Sequence, residues 1–145
     1  MGKPKIVVLG AGLGGTIAAY EIKAAVKDKA EVMTVSDSET YSFVPSNPWV
    51  AVRWREPEAI QVHLPPVFAK KKIGFTAVGA KRLHPAEKRI ELNDGSSLDY
   101  DYLVIATGPD LAFDEIEGLG PHGGHTVSVC QTAHAASAAD AFDAF

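Results

Sequence analysis

Short continuous apolar runs alternate with amphipathic stretches, and the two periods separate most clearly in the first third of the chain. Residues 5–9, Lys-Ile-Val-Val-Leu, form a β-branched apolar run closed by Gly10. That is the pattern of a strand buried on both faces of a parallel sheet. From Gly14 to about Lys27, the residues Ile17, Tyr20 and Ala24, and likewise Ala18, Ile22 and Ala25, recur three or four apart, which predicts an amphipathic helix. Asp28 and Lys29 end it, and residues 31–36, Glu-Val-Met-Thr-Val-Ser, predict a second strand. Strand, glycine turn, helix and strand in this compass make a βαβ unit, with a right-handed crossover expected.

The pattern changes between Tyr41 and Arg55. Tyr41, Phe43, Val44, Trp49 and Val50 are apolar, yet Pro45 and Pro48 argue against a regular helix or a central strand. The segment is expected to be an apolar loop packed on the core or on a ligand. A helix is predicted over residues 64–72, with its prolines in the first turn. Short strands are expected at 75–78, 89–92 and 97–99, the last two joined as a hairpin by Asn93-Asp94-Gly95. Residues 102–106 predict another strand buried on both faces, ending at Thr107-Gly108-Pro109. After a Gly/Pro/His-rich connection come a last strand at 126–129 and an Ala-rich helix from about Thr132. That helix reaches Phe145 without a Gly or Asn stop signal, so the chain is expected to be the N-terminal piece of something longer. The expectation is one α/β domain over residues 1–145: a Rossmann-like, mostly parallel sheet with a β-meander inserted before residues 102–106.

Composition narrows the function more than the fold. The 145 residues are 46% apolar and 22% charged, with a formal net charge of −4, which fits a globular protein and excludes wholesale disorder. No broad basic field exists for a nucleic-acid backbone. The single cysteine, Cys130, excludes an intrachain disulfide and a multi-cysteine metal centre within these residues. No apolar signal-peptide core precedes the first strand. The longest stretch free of Asp, Glu, Lys and Arg, residues 118–139, is rich in Gly, His and Ser and too polar to span a bilayer. This piece is therefore expected to be soluble.

The chemistry begins at Gly10-Ala11-Gly12-Leu13-Gly14-Gly15, a G-x-G-x-x-G between a predicted strand and a predicted helix. Gly10 permits a tight turn, Gly12 a close approach to a pyrophosphate, and Gly15 close packing of helix on strand. The helix N-terminus adds free N–H groups and partial positive charge. A ribose-binding acid is expected at the end of the second strand. Ser36 stands there, 21 residues past Gly15, with Asp37 next; the serine can bond a ribose hydroxyl, and Asp37 can supply a carboxylate if the turn shifts by one. A lone cysteine after an apolar strand is most often an inert core residue. His122, His125, Cys130 and His134 cluster in sequence, but the Gly123-Gly124 scaffold fixes no common point for them, so solvated loop histidines are expected and no metal.

A strand ending in Ala106-Thr107-Gly108 after a β-hairpin resembles the second flavin-contact motif of the two-dinucleotide-domain flavoproteins, which makes FAD the favoured nucleotide. Phe43-Val44-Pro45-Ser46-Asn47-Pro48-Trp49-Val50, with Tyr102-Leu-Val-Ile-Ala-Thr-Gly-Pro109 and Ser128-Val-Cys130, resembles the N-terminal part of the sulfide:quinone oxidoreductases. The resemblance covers essentially the whole chain. It implies FAD contacts at Gly10, Ala11, Gly12, Leu13, Gly14, Gly15, Ser36, Asp37, Val44, Ala80, Thr107 and Gly108, with Pro45, Ser46 and Asn47 close to the flavin. It also makes Cys130 the first of three active-site cysteines, its role open between holding a persulfide, aiding product release and forming a thioether to the flavin. The other two cysteines, the quinone pocket and the membrane-docking helices would lie beyond Phe145. The implied enzyme takes sulfide and a quinone as substrates, is a peripheral membrane protein when full length, and leaves its oligomeric state open, a homo-oligomer included. The rivals are the flavoprotein subunit of a flavocytochrome c sulfide dehydrogenase, which would normally carry a signal sequence, and a type II NADH:quinone reductase, which has no need of Cys130. A further alternative is a nucleotide-binding module without catalysis.

Overall fold

A computed structural model describes residues 2–121 and 123–145. In chain order the elements are β1 (Lys5–Leu9), α1 (Leu13–Val26), β2 (Glu31–Val35), β3 (Thr40–Ser42), α2 (Asn47–Ala51), β4 (Gln61–His63) and α3 (Leu64–Lys70). There follow β5 (Gly74–Thr76), β6 (Ala80–His84), β7 (Arg89–Leu92), β8 (Ser97–Asp99), β9 (Tyr102–Ile105) and α4 (Thr132–Ala144). Two compact units, interleaved in sequence, divide them. One runs up to Tyr41 and takes in His63–Gly108; the other is Ser42–Val62 with Pro109–Phe145.

The first unit is built on a parallel sheet in the order β5-β2-β1-β9. Its faces are covered differently, and the alternation along β1 shows how. Val8 packs with Val32, Ala19 of α1, and Leu64 and Phe68 of α3. Val7 and Leu9, pointing the other way, pack with Val35 and with Ile90, Leu92 and Tyr100 of the antiparallel meander β6-β7-β8. The apolar run of β1 is continuous because helices claim one side and a second sheet the other. The Asn93-Asp94-Gly95 turn joins β7 to β8 as expected, with Gly95 at φ +83° and the Asp94 carboxylate accepting from the Ser96 amide at 2.9 Å.

Two expectations need correcting here. The strand foreseen at 75–78 is β5, ending at Thr76, and a separate strand, β6, follows it. Lys81 and Arg82 hid β6 by breaking its apolar alternation, although Lys81 meets Glu91 across the meander at 2.8 Å. β9 is not buried on both faces: Tyr102 is 64% and Ile105 61% exposed, because β9 is an edge strand whose one neighbour among the described residues is β1.

The second unit has a small core of Val50, Ile60 and Ala135. The segment around Pro45 and Pro48, expected to lack helix, forms a 3₁₀ turn at Val44–Ser46 leading into α2. Each proline stands in a first turn, where no N–H is needed and its fixed φ suits the helix. The strand expected at 126–129 does not form. Those residues join no ladder among the described residues, and a strand without a paired edge is not one. Helix α4 starts at Thr132, as expected. Arg53 forks onto its Asp140 and Asp143 at 2.8 and 2.7 Å. Among the described residues no helix is long and apolar enough to cross a membrane.

The helix side of the first unit depends most on Phe68, fully buried, stacked on Phe75 at 5.3 Å and tilted against Tyr20 at 6.0 Å. Phe68→Ala is expected to cost about 3–5 kcal/mol, read from the urea midpoint of the chain. A loss below about 1 kcal/mol would mean that this face is not packed as described.

Candidate functional site

The glycine motif folds as a turn at which three strand ends meet. The Gly10 amide donates to the Val35 carbonyl at the end of β2 (2.8 Å), and the Ala106 amide donates to Leu9 at the end of β1 (2.7 Å). Gly10 sits at φ +103°, and a Cβ there would strike the Ala106 carbonyl oxygen. A Cβ on Gly15 would strike the Gly10 carbonyl oxygen. Both glycines are thus demanded by the packing of backbone on backbone. Gly12 and Gly14 differ: nothing lies within 4 Å of a Cβ built on either, and Gly12 has an ordinary φ of −68°. The fold does not require glycine at these two positions, whereas a group approaching the backbone from the open side would.

That open side faces the start of α1. No side chain caps the helix, and its first turn holds no acidic residue. Its leading amides have no intrahelical acceptor, which makes the turn a place for an anion. Ala11 is buried in the core and Leu13 is exposed. Thr16 fixes the turn from inside, its hydroxyl donating to the Ala11 carbonyl (3.0 Å) and its amide to Gly12 (2.9 Å).

Ser36 and Asp37 follow β2 directly, past the carbonyl that bonds Gly10. Ser36 is half-buried, its hydroxyl accepting from the Ser38 amide at 3.3 Å, and Asp37 is exposed. Gly79, which sequence reasoning missed, holds this turn: its amide donates to the Ser36 carbonyl at 2.7 Å and its carbonyl accepts from Asn93. Gly79 has φ +76°, and a Cβ there would come within 2.6 Å of Asn93 Nδ2 and 3.5 Å of Asp37. The signal was a lone glycine between two β-type runs. Ala80 beside it opens β6, half-buried. Thr107 and Gly108, past β9, are exposed, and a Cβ on Gly108 would meet nothing within 4 Å. The glycine turn, Ser36–Asp37 and Thr107–Gly108 therefore cluster at the carboxyl ends of β1, β2 and β9, where open α/β sheets bind ligands.

The remaining expected residues belong to the second unit. Val44 and Pro45 are exposed; Ser46 and Asn47 turn inward and are fully buried. The Ser46 hydroxyl accepts from Arg55 at 3.0 Å, and the Arg55 guanidinium lies 4.0 Å over the Trp49 ring. The Asn47 amide donates to the Val129 carbonyl at 2.9 Å and accepts from the Thr132 hydroxyl at 3.0 Å. Cys130 is exposed, one residue ahead of Gln131, the N-cap of α4, and its amide donates to the Ser128 hydroxyl at 3.1 Å. It is no core residue. His134 is buried with its ring 5.9 Å from that of Phe113, and His125 is exposed. His122 lies outside the described residues, among which no cluster of three or more His, Cys, Asp or Glu is placed to hold a metal.

Comparison with known proteins shows the family and the fold. Residues 4–141 match the pyridine nucleotide-disulphide oxidoreductase family model. The chain is 35% identical over 130 residues to the sulfide-quinone reductase of Aquifex aeolicus, covering 90% of this chain and 29% of that protein. It is 29% identical over 120 residues to the mitochondrial sulfide:quinone oxidoreductase of Dictyostelium discoideum, covering 79% of this chain and 25% of that one. The crystal structure of the sulfide:quinone oxidoreductase from Aquifex aeolicus superposes with a TM-score of 0.89 at 32% identity, over 97% of this chain and 32% of that one. The chain thus spans about a third or less of the length of these relatives.

The division of the motif into packed and open glycines is measurable. Gly15→Ala is expected to cost about 3 kcal/mol, at the upper end for an overpacked position. Gly14→Ala, on an open helical position, is expected to leave stability unchanged or raise it by up to about 1 kcal/mol. Equal losses in the two variants would erase the distinction.

Proposed function

The chain belongs to the pyridine nucleotide-disulphide oxidoreductase family, and within it we propose that it is the FAD-binding N-terminal part of a sulfide:quinone oxidoreductase. The observation that carries the nucleotide part is the pair of open glycines, Gly12 and Gly14, at the uncapped start of α1. A pyrophosphate fits a place with free amides and no Cβ. The sulfide and quinone part is supported by the likeness to the Aquifex and Dictyostelium proteins and by an exposed Cys130.

In this reading Gly10, Ala11, Gly12, Leu13, Gly14 and Gly15 hold the pyrophosphate, while Ser36 and Asp37 take the ribose, with Ala80 beside them. Thr107 and Gly108 meet the cofactor from the end of β9. Val44 and Pro45 offer exposed surface to it, and Ser46 and Asn47 support that surface from below. Bound FAD would supply the two-electron relay by which HS⁻ and a quinone give sulfane sulfur and quinol, with one further proton taken up. The chain's own share is to fix the cofactor and present the Cys130 thiol, the one group here able to bond sulfane sulfur. The full-length protein would work as a peripheral membrane enzyme, since its quinone is a lipid-phase substrate.

Three outcomes test this. The purified chain reconstituted with FAD is expected to hold it, and Gly12→Ala to lose at least about tenfold in affinity while costing no more than the roughly 1 kcal/mol of a weaker N-cap; equal FAD binding by variant and parent would sink the glycine assignment. The 145 residues alone are expected to give no sulfide-dependent quinone reduction with FAD added, and measurable turnover would show that the catalytic apparatus is already complete. In the full-length enzyme, Cys130→Ser is expected to keep its FAD but to impair sulfide turnover or sulfur release. Unchanged rates and products would make Cys130 a bystander.

A further inference from the structure

Cys130 stands in a segment that forms no strand, and something else must fix its backbone. The segment's hydroxyl and carbonyl groups identify what does. On one side of the thiol, the Val129 carbonyl accepts from Asn47 Nδ2 at 2.9 Å; on the other, the Thr132 hydroxyl donates to Asn47 Oδ1 at 3.0 Å. One fully buried side-chain amide, more than eighty positions away in sequence, therefore grips both flanks of Cys130. Its orientation is dictated by chemistry: the Val129 carbonyl is an acceptor only, so the NH₂ must face it and leave the oxygen for the threonine. Between the two grips the Cys130 amide bonds the Ser128 hydroxyl, while the residue remains exposed.

We propose that Asn47 is a positioning residue for Cys130, acting through Val129 and Thr132 to hold the thiol's backbone in one place. Asn47 then does something other than line the flavin, since both ends of its amide are taken up inside its own unit. The proposal rests on the reading of Cys130 as the reactive thiol, but the clamp is a structural fact that can be tested without it. The planar amide offers a donor where Val129 needs one and an acceptor where Thr132 needs one. Alanine removes both bonds. Aspartate retains an acceptor for Thr132 but offers Val129 no donor. Thr132→Val removes the second grip alone and leaves Asn47 intact.

Backbone hydrogen exchange in the 145-residue chain reads the clamp, with the β1 and β2 amides as internal controls. Asn47→Ala is expected to speed exchange at Cys130 and Ala135, whose amides bond the Ser128 hydroxyl and the Gln131 carbonyl, by about tenfold relative to those controls, and Thr132→Val by less. Asn47→Asp, which sets a buried carboxylate against the Val129 carbonyl, is expected to speed it by at least as much as Asn47→Ala. In the full-length flavoenzyme, Asn47→Ala is expected to lower sulfide turnover by about tenfold at unchanged flavin content and unchanged quinone KM, with Thr132→Val intermediate. If Asn47→Ala does not fold, Thr132→Val carries the test. Unaltered exchange in a folded variant overturns the clamp. Faster exchange with unaltered turnover, where Cys130→Ser is inactive, shows that the clamp does not serve the thiol and overturns the proposal. A fully active Cys130→Ser enzyme overturns the underlying reading of Cys130, whatever exchange shows at the clamp.

Discussion

The first unit depends on one close approach, the passage of Gly10 against the backbone of Ala106. No side chain fits between them, and the approach is what lets β1 sit between β2 and β9 with all three ends level. From it follow the turn into α1, and then the need for a second glycine, Gly15, where the first turn of that helix folds back on the Gly10 carbonyl. A motif usually credited whole to its ligand is therefore half a packing device. The other half, Gly12 and Gly14, lies where a side chain would meet nothing within the chain. Gly14, in the exposed first turn of α1, costs up to about 1 kcal/mol against alanine, a sacrifice that calls for an external partner, whereas Gly12 at the N-cap carries no such cost.

The same sheet explains why the first unit carries a second, antiparallel sheet. A parallel sheet needs both faces covered. Here α1 and α3 cover one, and an antiparallel meander covers the other. The meander does more than shield Val7, Leu9 and Val35. Through Gly79 and Asn93 it reaches the turn after β2 and sets the backbone of Ser36. Its own strands are tied on the solvent side by Lys81 and Glu91, and the Lys81 ammonium, helped by His84, holds the Glu91 carboxyl below its ordinary range.

How much of this was legible depended on whether a residue's partner was local. The β1-turn-α1-β2 unit could be read directly because its periods and its glycines are set by neighbours within a few positions. The β7–β8 hairpin was legible for the same reason. β6 was not, since Lys81 and Arg82 face solvent and its pairing partner lies beyond a turn at 85–88. The prolines misled in the opposite direction: their prohibition holds for a helix interior, and Pro45 and Pro48 both stand in first turns. Residues 126–129 have the composition of a strand, but composition cannot supply an edge to pair with. The glycine turn does follow β1 and Ser36–Asp37 do follow β2, positions that the local pattern made legible. Gly79 and the inward commitment of Ser46 and Asn47 were hidden, because they depend on contacts outside their own local stretch, from Arg55 nine positions past Ser46 to Val129 more than eighty past Asn47.

The absence of a ladder at 126–129 and the burial of Asn47 are two sides of one solution. A backbone stretch left unpaired would hold Cys130 loosely, and a strand would hold it rigidly at the cost of a neighbouring edge. A single asparagine amide supplies a donor and an acceptor at the two flanks and leaves the thiol between them open. A buried amide is worth its desolvation only when both ends are matched, and Asn47 meets that condition through residues on either side of the one cysteine. An apolar residue in its place could pack α2 against α4 equally well, but it could not fix the register of the segment leading into α4. The polar choice in the interior of this unit is thus explained by where the backbone of Cys130 has to be, and packing alone gives no reason for it.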